Sequence, residues 1–333
     1  MEEILLMNAL SDVRTTAVTA LVPAVWGTTY VVTTELLPPG RPLLAGTLRA
    51  LPVGLLLMAA SRSLPHGSWW WRSGVLGVLN IGLFFGLLFV AAYRLPGGLA
   101  ATLASTTPLI VVVVSWPLLG VRPMRSSVAA GALGVVGVAL LVIRPEARLD
   151  AVGAAAAVGA ALSVAFGIVL TKRWGRPGGL LAFTAWQLVA GGLVLAPFAL
   201  AVEGAPRELD SDAILGFAYL GLVGTGLAYV VWFRGIARLA ATRVSLLGFF
   251  SPLVAVVIGV TFSGEHLGLA EIAGIVLVLS GVLLGQRSPG PVVEGHRKED
   301  LGPTEASLTG QPKEKLRPTR VLAMPATSRT LPS

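Results

Sequence analysis

Slid against itself by 144 positions, the chain lays Arg94 on Arg238, Leu95 on Leu239, Pro108 on Pro252, Leu109 on Leu253, Gly120 on Gly264 and Gly137 on Gly281. Between residues 94 and 140 this register gives 13 identities in 47 positions without a gap. A duplication constrains a fold more than any single motif, because each copy has to be one structural unit. The repeated unit is almost wholly apolar, which places it in a membrane. Composition agrees: 54% of the 333 residues are hydrophobic and 13% are charged, against roughly 25% charged in a soluble domain.

Charges punctuate the chain into spans. Arg14 to Glu35 encloses 20 uncharged residues, Arg72 to Arg94 21, Arg94 to Arg122 27 and Arg125 to Arg144 18; Arg41 to Arg62 is broken only by Arg49. The second half repeats the rhythm, with Asp150 to Lys172 enclosing 21, Arg176 to Glu203 26, Asp212 to Arg234 21 and Arg243 to Glu265 21. A last span runs from about 269 to 286 and includes Glu271. About 20 apolar residues cross the hydrocarbon core as a helix, so we expect an all-α polytopic membrane protein of ten transmembrane helices. The runs lack the alternation of a membrane strand, which argues against a β-barrel.

The basic residues set the orientation. With the N-terminus inside, twelve Lys and Arg fall in inner segments and five in outer loops, while the four inner loops hold no acid. Both termini are then cytoplasmic and the chain lies in the cell (inner) membrane. Five helices per repeat is an odd number, so the halves point in opposite directions, the inverted arrangement that many secondary transporters use. The expected divisions are a cytoplasmic N-terminus over 1–14, repeats over 15–144 and 150–286, and a disordered cytoplasmic tail over 287–333 rich in Pro, Gly and charge.

The net charge of +8 lies mostly in the inner loops, where lipid and topology account for it, so no nucleic-acid partner is expected. The chain has no Cys, and His66, His266 and His296 fall in loops or tail. That leaves no Ser-His pair, haem ligand or metal cluster inside the membrane, and no enzyme or cofactor is expected. A GxxxxGK[ST] loop is also missing, which excludes an ATP-driven pump.

Four stretches carry a family resemblance: AVWGTTYVV and LLAGTLRALPVGLLL at the start, LAATLASTTPLIVVVVSWPLLG later in the first half, and YLGLVGTGLAYVVWFRGIARLAATRVSLLGFFSPLVAVVIGVTFSGEHLGLAEIAGIVLVLSGVLL in the second. Over about Thr15 to Gln286 the sequence resembles the EamA-type branch of the drug/metabolite transporter superfamily. The resemblance implies a ten-helix exporter or permease built from two EamA repeats around a central cavity. It also implies Glu at the end of the fourth helix of each repeat; Glu265 fits, and Val121 stands at the matching position of the first half.

Several residues are candidates for the solute pathway. Arg49 sits seven residues into its span, about 10 Å deep at 1.5 Å per residue. An intramembrane charge is a functional candidate, here either a structural anchor or a contact to an anionic solute group or to Glu35. Its repeat counterpart is Gln187. Pro108 and Pro252 free backbone carbonyls mid-span, and with Ser105 and Ser245 they are expected to line a cavity; the alternative is a packing kink whose hydroxyls bond back to their own helix. Trp26, Tyr30, Asn80, Trp186 and Tyr229 supply further polar or aromatic groups. Glu35, Glu265 and Glu271, near the outer face, are the candidates for proton coupling. Gly159, Ser163 and Gly167, Gly281 and Gly285, and Gly131, Gly134 and Gly137 form small-residue stripes that close-packed helices need, within the fold or across a homodimer interface.

The expected function is a secondary transporter exporting a small-molecule metabolite, an amino acid or related amphipathic solute, by alternating access around a midplane cavity between the repeats. The alternative is a membrane sensor or assembly subunit that keeps the fold without transporting.

Overall fold

The computed structural model describes residues 2–95, 97–142, 150–205, 209–263 and 268–287. Arg144, Glu146, Arg148, Arg207, Glu208, Glu265 and the expected tail beyond Arg287 lie outside the described residues. Ten helical spans are present: α1 (Leu10–Thr33), α2 (Pro42–Ser61), α3 (Trp69–Leu88), α4 (Ala100–Leu119), α5 (Arg125–Val142), α6 (Ala151–Trp174), α7 (Leu180–Glu203), α8 (Ser211–Arg238), α9 (Ala241–Thr261) and α10 (Leu269–Arg287). The helix that contains α1 already begins at Glu2, so the expected N-terminal lead-in is part of the first helix.

Local chemistry sets several ends. Asp150 and Asp210 stand just before α6 and α8, and their carboxylates accept the Gly153 and Ala213 amides at 2.7 and 2.8 Å, filling donors that a helix start leaves open. Gly120 closes α4 with φ +70°, a left-handed conformation that glycine adopts without a side-chain clash.

Five of the described helices are interrupted, α1 by a turn at Thr28, after which the short helix Thr29–Leu36 begins. The turns Val78–Gly82 of α3 and Leu222–Leu227 of α8 are π-helical, and their starts are 144 residues apart. At Ser105–Thr106 a break divides α4, and α9 breaks at Gly248–Phe249. The broken helices touch each other across the molecule.

Polar contacts at the helix ends reveal the relative direction of the halves. Arg243, at the start of α9, meets Asp12, at the start of α1, at 3.9 Å. Lys172, near the end of α6, donates to the Ala237 and Leu239 carbonyls at the end of α8, at 3.1 and 2.8 Å, two residues before α9 begins. The start of α1 and the end of α6 therefore share one side, so the first helices of the two halves run oppositely. The repeats are inverted.

The halves are joined by two glycine-rich helix pairs. In the α5–α10 pair, a Cβ on Gly137 would lie 2.8 Å from the Gly274 carbonyl, and one on Gly274 2.7 Å from that of Gly137. The α2–α7 pair closes in the same way at Gly54 and Gly192. Lipid gives such helices no hydrophobic drive to associate, so close backbone approach supplies it. Gly137 and Gly281 lie in the α5–α10 contact, Gly131 faces Leu109 of α4, Gly134 faces Phe249, Gly285 faces Leu246 of α9, and Gly159, Ser163 and Gly167 face α3; all are used inside the fold. At the basic end, Trp70 and Trp71 remain 60% and 54% exposed, as an interfacial aromatic belt requires.

Candidate functional site

The two π-turns organise the polar interior. A π-turn interrupts the regular i→i−4 ladder and is rare outside functional sites, and here its carbonyls are taken by side chains from other helices. Leu79 accepts from the Ser163 hydroxyl at 2.8 Å, and Asn80 accepts from the Tyr229 phenol at 3.4 Å. In the second turn the Gly224 carbonyl accepts from Trp26 Nε1 at 3.0 Å and from Arg49 Nη2 at 3.2 Å.

Arg49 is 7% exposed. Its Nε donates to Thr225 Oγ1 at 2.9 Å, and its guanidinium lies 5.0 Å from the centroid of the Phe85 ring. Among the described residues it has no acidic partner; Glu35 is exposed at the end of the short helix Thr29–Leu36. Every other charged side chain of the ten spans stands within five residues of a span end. Arg49 is the deepest charge in the described protein.

At the other π-turn, Asn80 Nδ2 donates to Gln187 Oε1 at 2.8 Å and to Thr171 Oγ1 at 3.5 Å. Gln187 is fully buried and donates to the Phe183 carbonyl at 3.4 Å. Gly167 makes room for the Asn80 carboxamide, since a Cβ there would overlap Oδ1. Arg49 on Gly224 and Gln187 on Asn80 are thus matched attachments of the second and seventh helices to the two π-turns.

Aromatic rings bridge the two clusters. Trp26 lies 5.4 Å from Tyr229 and 5.2 Å from Trp232, and Phe233 lies 5.6 Å from Tyr229 and 5.4 Å from Phe183 between centroids. Thr28 and Tyr219 share a hydrogen bond of 2.7 Å above them. Towards the basic end, a cavity of about 200 Å³ runs between α6, α7 and α8, lined by Thr171, Lys172, Gly175, Arg176, Phe183 and Phe233 with Ala237. Its floor, Phe183 and Phe233, is buried, and its rim at Gly175, Arg176 and Ala237 is exposed.

The sequence candidates divide accordingly. Trp26, Arg49, Asn80, Gln187 and Tyr229 come together, and Tyr30 lies in the adjoining Thr29–Leu36 helix. Trp186 points elsewhere: its Nε1 donates to the Ser63 carbonyl in the loop between α2 and α3 at 2.8 Å. Ser105 and Ser245 donate to the Thr102 and Thr242 carbonyls three residues back, at 2.6 and 2.9 Å, and Thr106 and Thr107 do the same. Next to Pro108, and at Ser245, the hydroxyls are therefore returned to their own helices, as in a packing kink. Glu271 sits in the first turn of α10.

Gly224, Phe85, Thr171 and Glu203 were not singled out from sequence. Gly224 was within reach, because it stands 144 residues after Asn80. Glu203, at the end of α7, accepts the Leu43 and Leu44 amides at 2.7 and 2.8 Å and so caps α2 of the opposite half.

Ten spans in two inverted halves with a buried polar centre define a multi-pass membrane transporter of small-molecule substrates. Both halves match the EamA-like transporter family, over residues 14–143 and 151–285. The chain belongs to this family, within the drug/metabolite transporter superfamily. It is 45% identical over 266 residues to the protein PecM of Dickeya dadantii, covering 79% of this chain and 89% of that protein. It is also 27% identical over 284 residues to the transporter YvbV of Bacillus subtilis (84% and 93% covered) and 26% over 265 residues to the inner membrane transporter YedA of Escherichia coli K12 (78% and 86%). A solved crystal structure at 21% identity shares the fold with a TM-score of 0.70, over 82% of this chain and 97% of that one.

Proposed function

We propose that this protein is a secondary transporter of the inner membrane, with both termini in the cytoplasm. In this reading it exports a small amphipathic metabolite of amino-acid size by alternating access, and the solute passes the centre framed by Trp26, Arg49, Asn80, Gln187 and Tyr229. The observation that carries this reading is the pair of π-turns at matching positions of the inverted halves, each attached to a polar side chain of the other half's helices. Such a centre gives each half an equivalent polar attachment to the other, which suits two halves rocking about a fixed site.

Sidedness is supported by the cavity beneath Thr171. It opens at the end carrying Lys172, Arg173, Arg176, Arg234 and Arg238, which the distribution of basic residues places in the cytoplasm. A solute loading there has the Phe183–Phe233 pair between it and Asn80. The test is uptake into proteoliposomes of a panel of amino acids, nucleosides and organic cations and anions, with and without a pH gradient. Saturable uptake of one class, lost in N80A, is expected; no uptake of any class refutes the reading.

A further inference from the structure

Arg49 carries a charge that its structural task does not need. It ties α2 to the π-turn of α8 through Thr225 and Gly224; Gln187, at the equivalent place in the inverted half, ties α7 to the π-turn of α3 with a neutral amide. A buried ion without a counter-ion is costly in a membrane, so an uncharged side chain would serve the fold better at both places. A guanidinium has five N–H donors in a planar fork, and among the described residues Arg49 uses Nε and Nη2 only. Nη1 makes no hydrogen bond there. With one face on the Phe85 ring, the group keeps its edge for a planar anion, which it can bind through two parallel hydrogen bonds.

We infer that Arg49 is the receptor for the anionic end of the solute, and that the solute is a small organic anion whose efflux is driven by the membrane potential. The inference rests on the transport reading above. Asp and Glu are absent from the middle of every described span, so no carboxylate stands at the centre to trade a proton for the solute. An anion needs none: leaving a cell whose interior is negative, it gains roughly fifty-fold in equilibrium distribution per 100 mV. Arg49 neutralises it at the depth where an unpaired anion is least stable, and each cycle moves one net negative charge outwards.

The test uses the full chain in phospholipid vesicles. Probes are benzenesulfonate and a series of small carboxylates, with benzenesulfonamide and benzyltrimethylammonium as neutral and cationic counterparts. Binding is read from the fluorescence of the indoles beside Arg49, and uptake is measured under potassium diffusion potentials of either sign. An anion is expected to bind saturably, about 10- to 100-fold more weakly in R49Q, with partial recovery in R49K, and its uptake should quicken when the vesicle interior is positive. Thermal unfolding of R49Q should match the wild type, because Gln187 shows that an amide fits the role. Equal binding to R49Q, preference for the neutral or cationic probe, or no anion binding at all overturns the inference. Uptake of another solute class, indifferent to potential and to Arg49, overturns it while leaving the transport reading intact; no uptake of any class removes both.

Discussion

Arg49 and Trp26, 23 residues apart and on different helices, donate to one acceptor, the carbonyl of Gly224, at 3.2 and 3.0 Å. The carbonyl belongs to a π-turn of α8, so the first and second helices of one half are held at a single backbone atom of the other.

Removing one donor should therefore be felt at the solute site more than in the fold. Hydrogen bonds between membrane helices average about 0.6 kcal/mol, so W26F should lower stability by about that much. Solute KM should shift several-fold, because Arg49 then holds the carbonyl alone. W26A, which also removes the ring contacts to Tyr229 and Trp232, should cost about 3–5 kcal/mol. Thermal unfolding in detergent and transport kinetics check both; an unchanged KM in W26F means that the shared carbonyl plays no part in transport.

Gly167 and Asn80 form a second sensitive pair. A methyl at position 167 overlaps the Asn80 carboxamide, and overpacking of this kind costs about 1–3 kcal/mol. G167A should lose stability and transport together. The double variant G167A/N80A should regain stability without regaining transport, and a double-mutant cycle measures the coupling. Additive losses would mean that the two residues do not compete for one space.

Glu203 binds the start of α2 through both carboxylate oxygens, and Arg41, just before α2, answers by donating to the Ala205 carbonyl at 2.7 Å. Loss of a helix cap costs about 0.5–2 kcal/mol. E203A should fall near the upper end because both acceptors go, and E203Q, which keeps one, should fall midway. Equal melting temperatures for wild type and E203A would show that the cap adds nothing.

The chain's lack of cysteine makes the cavity easy to probe. Ala237 lies on its exposed rim, so A237C should react with a membrane-impermeant maleimide from the cytoplasmic face of inside-out vesicles. F183C, at the buried floor, should react far more slowly, and faster when the solute is turning over. Labelling of A237C only from the opposite face would reverse the orientation proposed above.

Much of the fold was legible in the sequence because lipid imposes one strict condition, some twenty uncharged residues per span, and charges such as Arg72, Arg94 and Lys172 mark where it ends. Inversion followed from counting five spans per repeat. The polar centre was legible only residue by residue. Arg49 stood out by depth and Asn80 by polarity, but nothing near either names its partner, since Gln187 and Gly224 are more than 100 residues away. The π-turns were invisible: VLNIG and LVGTGL contain no proline, and their extra residue is held in place by contacts from other helices. Pro108 and Pro252 gave the louder local signal, while the hydroxyls of Ser105, Thr106, Thr107 and Ser245 bond their own backbone. Trp186 and its neighbour Gln187 part company in a way sequence does not signal: Gln187 faces the centre, and the Trp186 indole bonds the α2–α3 loop.

The glycine faces of α5 and α10 have a consequence for biosynthesis. Arg125, where α5 begins, is translated 144 residues ahead of Leu269, where α10 begins. Until the ribosome has delivered the second half, α2 and α5 stand in the bilayer with the notches at Gly54 and Gly137 filled only by lipid chains. The Gly137 notch finds its complement only at Gly274 of α10, so this contact has to wait for the last helix, and a chain cut short before α10 would leave that face of α5 as a ready target for membrane quality control.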